Sequence, residues 1–385
     1  MTSLTDEYIN QGVELYETGD FLSALNNLNM ALLQDPANFL AYYNRGLVFS
    51  GLGNDREAIE DYNQAIRYAP HFAKAYNNLG IIHIQAKDHF RALEYLNDAL
   101  RWDPNLAQAY HNRALSYDHL GDKQRAKQDY QRAISLKLDL KQSHVNLANL
   151  QAQEGQYTQA IKSYNQALEI DKEYNLAYLN RANCHGLNND YIASIADYDR
   201  VIFLEPKNIK ALNRRGNLHY KLGQYEQALQ DYNQVLLIDP QNSSAYFNRA
   251  NAFFDLQDFS KSLEDYTYAL LFKPDSAKIY NNRGNVYAEL KDFYNSIKDY
   301  QSAIKLDNQY TTAFFNCANS LYQLGQFSKA IKYYDQAIKL DPQDAQSYNN
   351  RGLAYLNLAD EASARKDLDR AASLRDLGKL NSQTS

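Results

Sequence analysis

The sequence predicts an all-α chain made of one helix–turn–helix unit repeated in tandem, and three observations carry that reading. The seven prolines, Pro36, Pro70, Pro104, Pro206, Pro240, Pro274 and Pro342, are separated only by multiples of 34 residues. With Thr5 as the first position, eleven repeats of 34 residues cover 5–378 without insertion or deletion, starting at 5, 39, 73, 107, 141, 175, 209, 243, 277, 311 and 345. Aligned repeats show columns of small and of bulky side chains at helical spacing, the pattern of two helices pressed together.

Each element of the repeat has its own signature. In the first helix, position 8 is always Gly or Ala, as at Gly12, Ala114 and Gly284, so a neighbouring helix approaches too closely for anything larger. Positions 4 and 11 are mostly aromatic or apolar, for example Tyr178 and His185 of repeat six. Gly at position 15 (Gly19, Gly53, Gly121, Gly155, Gly223, Gly325) suits the turn between the helices. In the second helix, positions 17 and 24 supply bulk, as Tyr191 and Tyr198 do, while position 20 is Ala or Ser and position 27 is Ala or Val. Pro at position 32 punctuates the link to the next repeat.

A small residue at 8, an aromatic near 17, Ala at 20, an aromatic at 24, Ala at 27 and Pro at 32 together resemble the tetratricopeptide repeat (TPR) family over essentially the whole chain. The resemblance implies a right-handed superhelical α-solenoid whose first helices line the concave surface. Leu138, Lys172, Asn308 and Asp376 stand where Pro is usual, and Asp55, Lys123 and Glu361 replace the aromatic at 17. These departures touch individual turns. Such arrays are quasi-one-dimensional and their end repeats face water. The stretch from Asp360 to Leu374 alternates charge with a thin apolar stripe and is expected to close the stack, with 379–385 a disordered tail.

Composition narrows the function. The formal charge is −6 with both signs well mixed, so no basic face for nucleic acid is implied. Most of the 33 tyrosines fall in the packing columns and serve the core, which argues against base stacking. Cys184 and Cys317 fit a reducing compartment and are too few for a metal cluster. The start "MTSLTDEYIN" has no signal-peptide pattern and no apolar run is long enough to span a bilayer, so a cytoplasmic protein without membrane insertion is expected. There is no phosphate loop, zinc-protease helix or nucleophile elbow, and His83, His185 and His219 share packing position 11. His111 and His119 stand in repeat four without a thiol or carboxylate column. Neither an enzyme nor a cofactor or metal site is expected.

Two polar patterns remain. Arg at position 7 (Arg45, Arg113, Arg181, Arg215, Arg249, Arg283, Arg351) occurs in the same seven repeats that carry Asp at 23 (Asp61, Asp129, Asp197, Asp231, Asp265, Asp299, Asp367). Such co-occurrence predicts an ion pair within the helix pair; an exposed pair of this kind contributes about 0.2–1 kcal/mol.

Asn at position 6 recurs in ten of eleven repeats, including Asn78, Asn112, Asn146, Asn180, Asn248, Asn282, Asn316 and Asn350. Asn at position 9 fills six consecutive repeats, at Asn149, Asn183, Asn217, Asn251, Asn285 and Asn319. The two positions lie one turn apart on one helix face and no other column tracks them. A side-chain amide offers a donor and an acceptor, matching the N–H and C=O of an extended peptide. The family resemblance places position 6 on the concave face, so these residues are the expected peptide-binding set.

The position 6 file breaks at Arg214, with Lys210 four residues earlier on the same face, a candidate carboxylate site. Members of the family that grip C-terminal carboxylates resemble this segment at Asn146, Asn180, Lys210 and Arg214, although Gln142 stands where a Lys is usual. The expected function is a non-catalytic scaffold that binds extended or helical segments of other proteins in an Asn-lined groove. The alternatives are an assembly factor for a multiprotein complex, photosynthetic or otherwise membrane-bound, that uses convex or terminal surfaces, and a co-chaperone. The oligomeric state is left open.

Overall fold

The computed structural model describes residues 3–137 and 140–383, with side chains through residue 376. Among the described residues there are 22 helices and no strand. They come in pairs that keep the sequence frame: in repeat nine the first helix is Ala277–Glu289 and the second Phe293–Leu306. The chain divides into two compact units, Met1–Asp197 and Tyr198–Ser385, each a stack of such pairs.

Local chemistry sets the helix ends. At position 16 the side chains of Asp88, Asp122, Asp258 and Asp292 accept the backbone N–H three residues on, capping the second helix. At position 34 Asn38, Asn208 and Asn242 cap the following first helix in the same way. Position 15 lies in the left-handed region in every repeat, from Gly19 at φ 85° to Ala359 at φ 59°. The turn conformation is therefore a property of the frame, and Lys87, Asn189, Gln257, Lys291 and Ala359 adopt it without being Gly.

The core of each pair is a large side chain at 24 set against the small residue at 8. Tyr300 is 2% exposed, and a Cβ built on Gly284 meets its ring at 2.7 Å. Tyr62, Tyr130, Tyr164, Tyr232, Tyr266 and Tyr334 fill the same place. Each buried ring removes a large apolar area from water but carries a hydroxyl that needs a partner.

Two expectations at the chain's ends and links meet the structure differently. The last helix runs Glu361–Gln383, so residues 379–383 of the expected tail are helical; residues 384 and 385 lie outside the described residues. Leu138, which replaces the link proline of repeat four, also lies outside them.

Candidate functional site

All seven Arg–Asp pairs form, and each is a two-bond fork. Arg283 Nε donates to Asp299 Oδ2 at 2.7 Å and one terminal nitrogen donates to Oδ1 at 2.9 Å. The other terminal nitrogen reaches the preceding repeat, donating to Thr267 Oγ1 at 3.2 Å. The same third bond joins Arg45 to Asn29, Arg113 to Asn97, Arg249 to Asn233, Arg215 to Asp199 and Arg351 to Asp335. Position 25 is thus a column of small acceptors that the sequence reading passed over. Burial opposes the charge on Arg283, but its bonds to Asp299 outweigh burial and hold its pKa above the ordinary value.

The Asn files are not free-standing, although no column tracks them in the sequence: they are bonded to the position 24 tyrosines and to one another across repeats. Asn285 Oδ1 accepts two bonds, from the Tyr300 hydroxyl of its own repeat at 2.9 Å and from Asn316 Nδ2 of the next at 3.0 Å. The arrangement recurs at Asn149 with Tyr164 and Asn180, and at Asn217 with Tyr232 and Asn248. It recurs again at Asn251 with Tyr266 and Asn282, and at Asn319 with Tyr334 and Asn350. The position 9 carbonyl therefore satisfies a buried tyrosine and ties adjacent repeats together. Asn183 Nδ2 donates to the Leu179 carbonyl of its own helix at 2.9 Å.

In two repeats an Asn at position 5 joins the network across repeats. In repeat three Asn77, 7% exposed, accepts from Asn112 at 2.9 Å and donates to Asn78, which donates to the Tyr43 hydroxyl. Asn281 plays the same part in repeat nine, accepting from Asn316 and donating to Asn282. Position 5 varies too much along the chain for the sequence alone to single out these residues.

Half of each amide remains unspent. Among the described residues, no protein acceptor takes the side-chain N–H2 of Asn149, Asn217, Asn251, Asn285 or Asn319, and no protein donor reaches Oδ1 of Asn180, Asn248 or Asn316. Asn217 is exposed and the others are half-buried on the first helices. A cavity of about 380 Å³ gathers Asn285, Asn316 and Asn319 beside Phe254 and Phe293. One of about 360 Å³ holds Asn319 and Asn350 beside Leu353. In the N-terminal unit a cavity of about 430 Å³ brings Asn78, Asn112 and Lys74 over Ile81, Leu106 and Leu140.

Lys210 and Arg214 are both exposed on the helix Ile209–Lys221. They make no ion pair among the described residues. They belong to the C-terminal compact unit, whereas Asn146 and Asn180 belong to the other. His83 stacks on Tyr95, as its packing column implies; His111, outside that column, lines the cavity of Asn78 and Asn112 with its Nδ1 2.8 Å from the Ser143 hydroxyl, and burial pushes its imidazole down to about 4. Cys184 and Cys317 are buried and unpaired, and burial pushes their thiols up to about 11 and about 12. Among the described residues no group of three metal-ligating side chains forms, and no helix is long and apolar enough to cross a membrane.

Helix pairs in a 34-residue frame, joined through fixed columns, define a helical-repeat protein. Profiles described as "TPR repeat" match residues 12–53, 216–257, 250–291, 284–325 and 318–358. Profiles described as "Tetratricopeptide repeat" match 39–72, 79–145, 142–174 and 345–376. The chain belongs to the tetratricopeptide repeat family, whose fold is that of protein-interaction scaffolds. Among solved structures it is similar to Pseudomonas aeruginosa PilF, with 19% identity and a TM-score of 0.52 over 56% of this chain and 97% of that one. It is also similar to yeast Tom70 (16% identity, TM-score 0.43, 96% of this chain and 92% of that one). YrrB, described as a TPR protein with an unusual peptide-binding site, matches at 19% identity and a TM-score of 0.42 over 49% of this chain and 98% of that one. At these identities the likeness is one of fold. No curated protein matches the sequence.

Proposed function

We propose that the chain is a non-catalytic adaptor that holds extended segments of partner proteins along the amide-lined face of its first helices, within each compact unit. The observation that supports this is the division of labour inside each Asn pair. One carbonyl is spent on Tyr and the next Asn, which orients both amides, while an N–H2 at position 9 and a C=O at position 6 are left without protein partners. A donor and an acceptor recurring once per repeat suit a peptide main chain, which is read without regard to its side chains. Lys210 and Arg214 add a local preference for an acidic residue in the bound segment.

Replacing position 9 by Ala strips a buried tyrosine of its acceptor, which costs about 1–3 kcal/mol per site and confounds binding with stability. Asn217→Asp, Asn251→Asp and Asn285→Asp together keep the acceptor and remove the donor. Binding to an array of unstructured peptides is expected to fall at least about tenfold with the unfolding midpoint little changed, a loss of about 1.4 kcal/mol. N-methylating the peptide backbone is expected to have the same effect on the unaltered protein. Peptide binding that survives both changes rules the main-chain reading out. Lys210→Ala with Arg214→Ala is expected to weaken acidic peptides only.

A further inference from the structure

The cavity of about 380 Å³ in the C-terminal unit holds more than the amides Asn285, Asn316 and Asn319. Phe254 and Phe293 line it as half-buried rings, and Glu289 and Gln323 stand exposed beside them. Among the described residues Glu289 is the only charged side chain in that lining, and it makes no ion pair and no side-chain hydrogen bond. Its charge is turned toward the cavity floor. Burial is the main cause that holds the Tyr300 phenol above its ordinary value, and Cys317, Asp299 and Glu289 add to it, so the Glu289 carboxylate is within electrostatic reach of the hydroxyl that Asn285 accepts.

The repeat frame explains why this carboxylate is free. Glu289 occupies position 13, and in repeat eight that position is Asp255, which accepts the hydroxyl of Tyr220 from position 12 of repeat seven. In repeat eleven Asn357 at position 13 likewise bonds to the hydroxyl of Tyr322 at position 12 of repeat ten. The residue that stands before Glu289 in this pairing is Phe254, which keeps the ring and lacks the hydroxyl. Neighbouring charges do not fill the gap: Lys291 does not line the cavity, the Asp292 carboxylate accepts from the Asn295 backbone and amide, and Asp258 pairs with Lys261. Among the described residues the cavity of Asn319 and Asn350 has no charged lining side chain, and that of Asn78 and Asn112 has Lys74. An unpaired carboxylate beside aromatic faces suits a cation, and a guanidinium best. Its plane lies flat on a ring while its five N–H groups reach Glu289 and the Gln323 side-chain carbonyl together.

We infer that this cavity takes an arginine side chain of the bound segment, its guanidinium against Phe254 and paired with Glu289, an inference that rests on the peptide-binding function proposed for the groove. Fluorescence anisotropy on the full chain tests it with arginine-containing unstructured peptides, each matched by a copy in which citrulline, of the same shape and without charge, replaces arginine. The arginine peptides are expected to bind about tenfold more tightly than their citrulline copies. Glu289→Gln, at an exposed site without a hydrogen bond to lose, is expected to bring that ratio to within about twofold while citrulline peptides bind it as they bind the unaltered chain. Equal binding of arginine and citrulline peptides by the unaltered chain overturns the inference and leaves the main-chain reading standing. A ratio that persists in Glu289→Gln overturns it too, because the arginine then sits elsewhere. Peptides that bind in neither form overturn both readings.

Discussion

A half-buried guanidinium forked onto a buried carboxylate loses more when one partner is removed than when both are, because the survivor is left charged and uncompensated. Asp299 has 5% side-chain exposure, so Arg283→Met is expected to destabilise by about 2–4 kcal/mol, well above the value for an exposed pair. The chain itself supplies the gentler alternative: repeat three carries Leu79 and Tyr95 at the same two positions. Arg283→Leu with Asp299→Tyr is expected to cost less than the single change, and urea unfolding of both variants decides it. His111 gives a second residue-level outcome. Its folded pKa, about 4, lies below the ordinary 6.5, so the unfolded chain takes up the proton first as pH falls. Its contribution is complete above the unfolded value and is lost between 6.5 and about 4. Unfolding at pH 7 and pH 5 is expected to differ by about 2 kcal/mol on this account, and His111→Asn to narrow the gap. At this scale the Arg–Asp pair could be read from the sequence because each column appears only with the other. The Asn–Tyr pair could not, since Tyr62 and Tyr130 occupy position 24 in repeats that lack Asn at 9, and the ring had already been assigned to the core.

The turn between the two helices shows what an element demands apart from its residue. Position 15 is left-handed in all eleven repeats, yet only six have Gly there. A side chain in that region costs about 1–2 kcal/mol, partly offset because Gly loses more freedom on folding. Gln257→Gly and Ala359→Gly are therefore expected to stabilise by up to about 1 kcal/mol each, whereas Gly223→Ala is expected to destabilise by a similar amount. Calorimetric midpoints of the three variants check the sign. The glycine column exposed the turn in the sequence, and the frame carried it to the repeats without glycine. The end of the last helix was not legible in that way. Past Gly378 there is no further repeat to compare, and a polar, weakly periodic segment reads the same whether coiled or helical.

Over the whole molecule, repeats touch mainly their neighbours, so stability is a sum of repeat and joint terms. The 34-residue frame was legible throughout because it is sampled eleven times. The division at Asp197 was not, since repeat six keeps Ala182, Ser194, Tyr198 and Pro206 in their usual places. The joints themselves follow the frame: Arg at 7 seeks an acceptor at 25 of the repeat before it, and Asn at 6 seeks a carbonyl at 9. Cut out residues 243–276 and the splice brings Arg283 opposite Asn233 instead of Thr267, and Asn282 opposite Asn217 instead of Asn251, with Asn242 in place to cap Ala277. The shortened chain is expected to fold with unchanged helicity per residue by circular dichroism. The polypeptide can then be edited like a string of interchangeable links, shortened or lengthened by whole repeats without new chemistry at the seam.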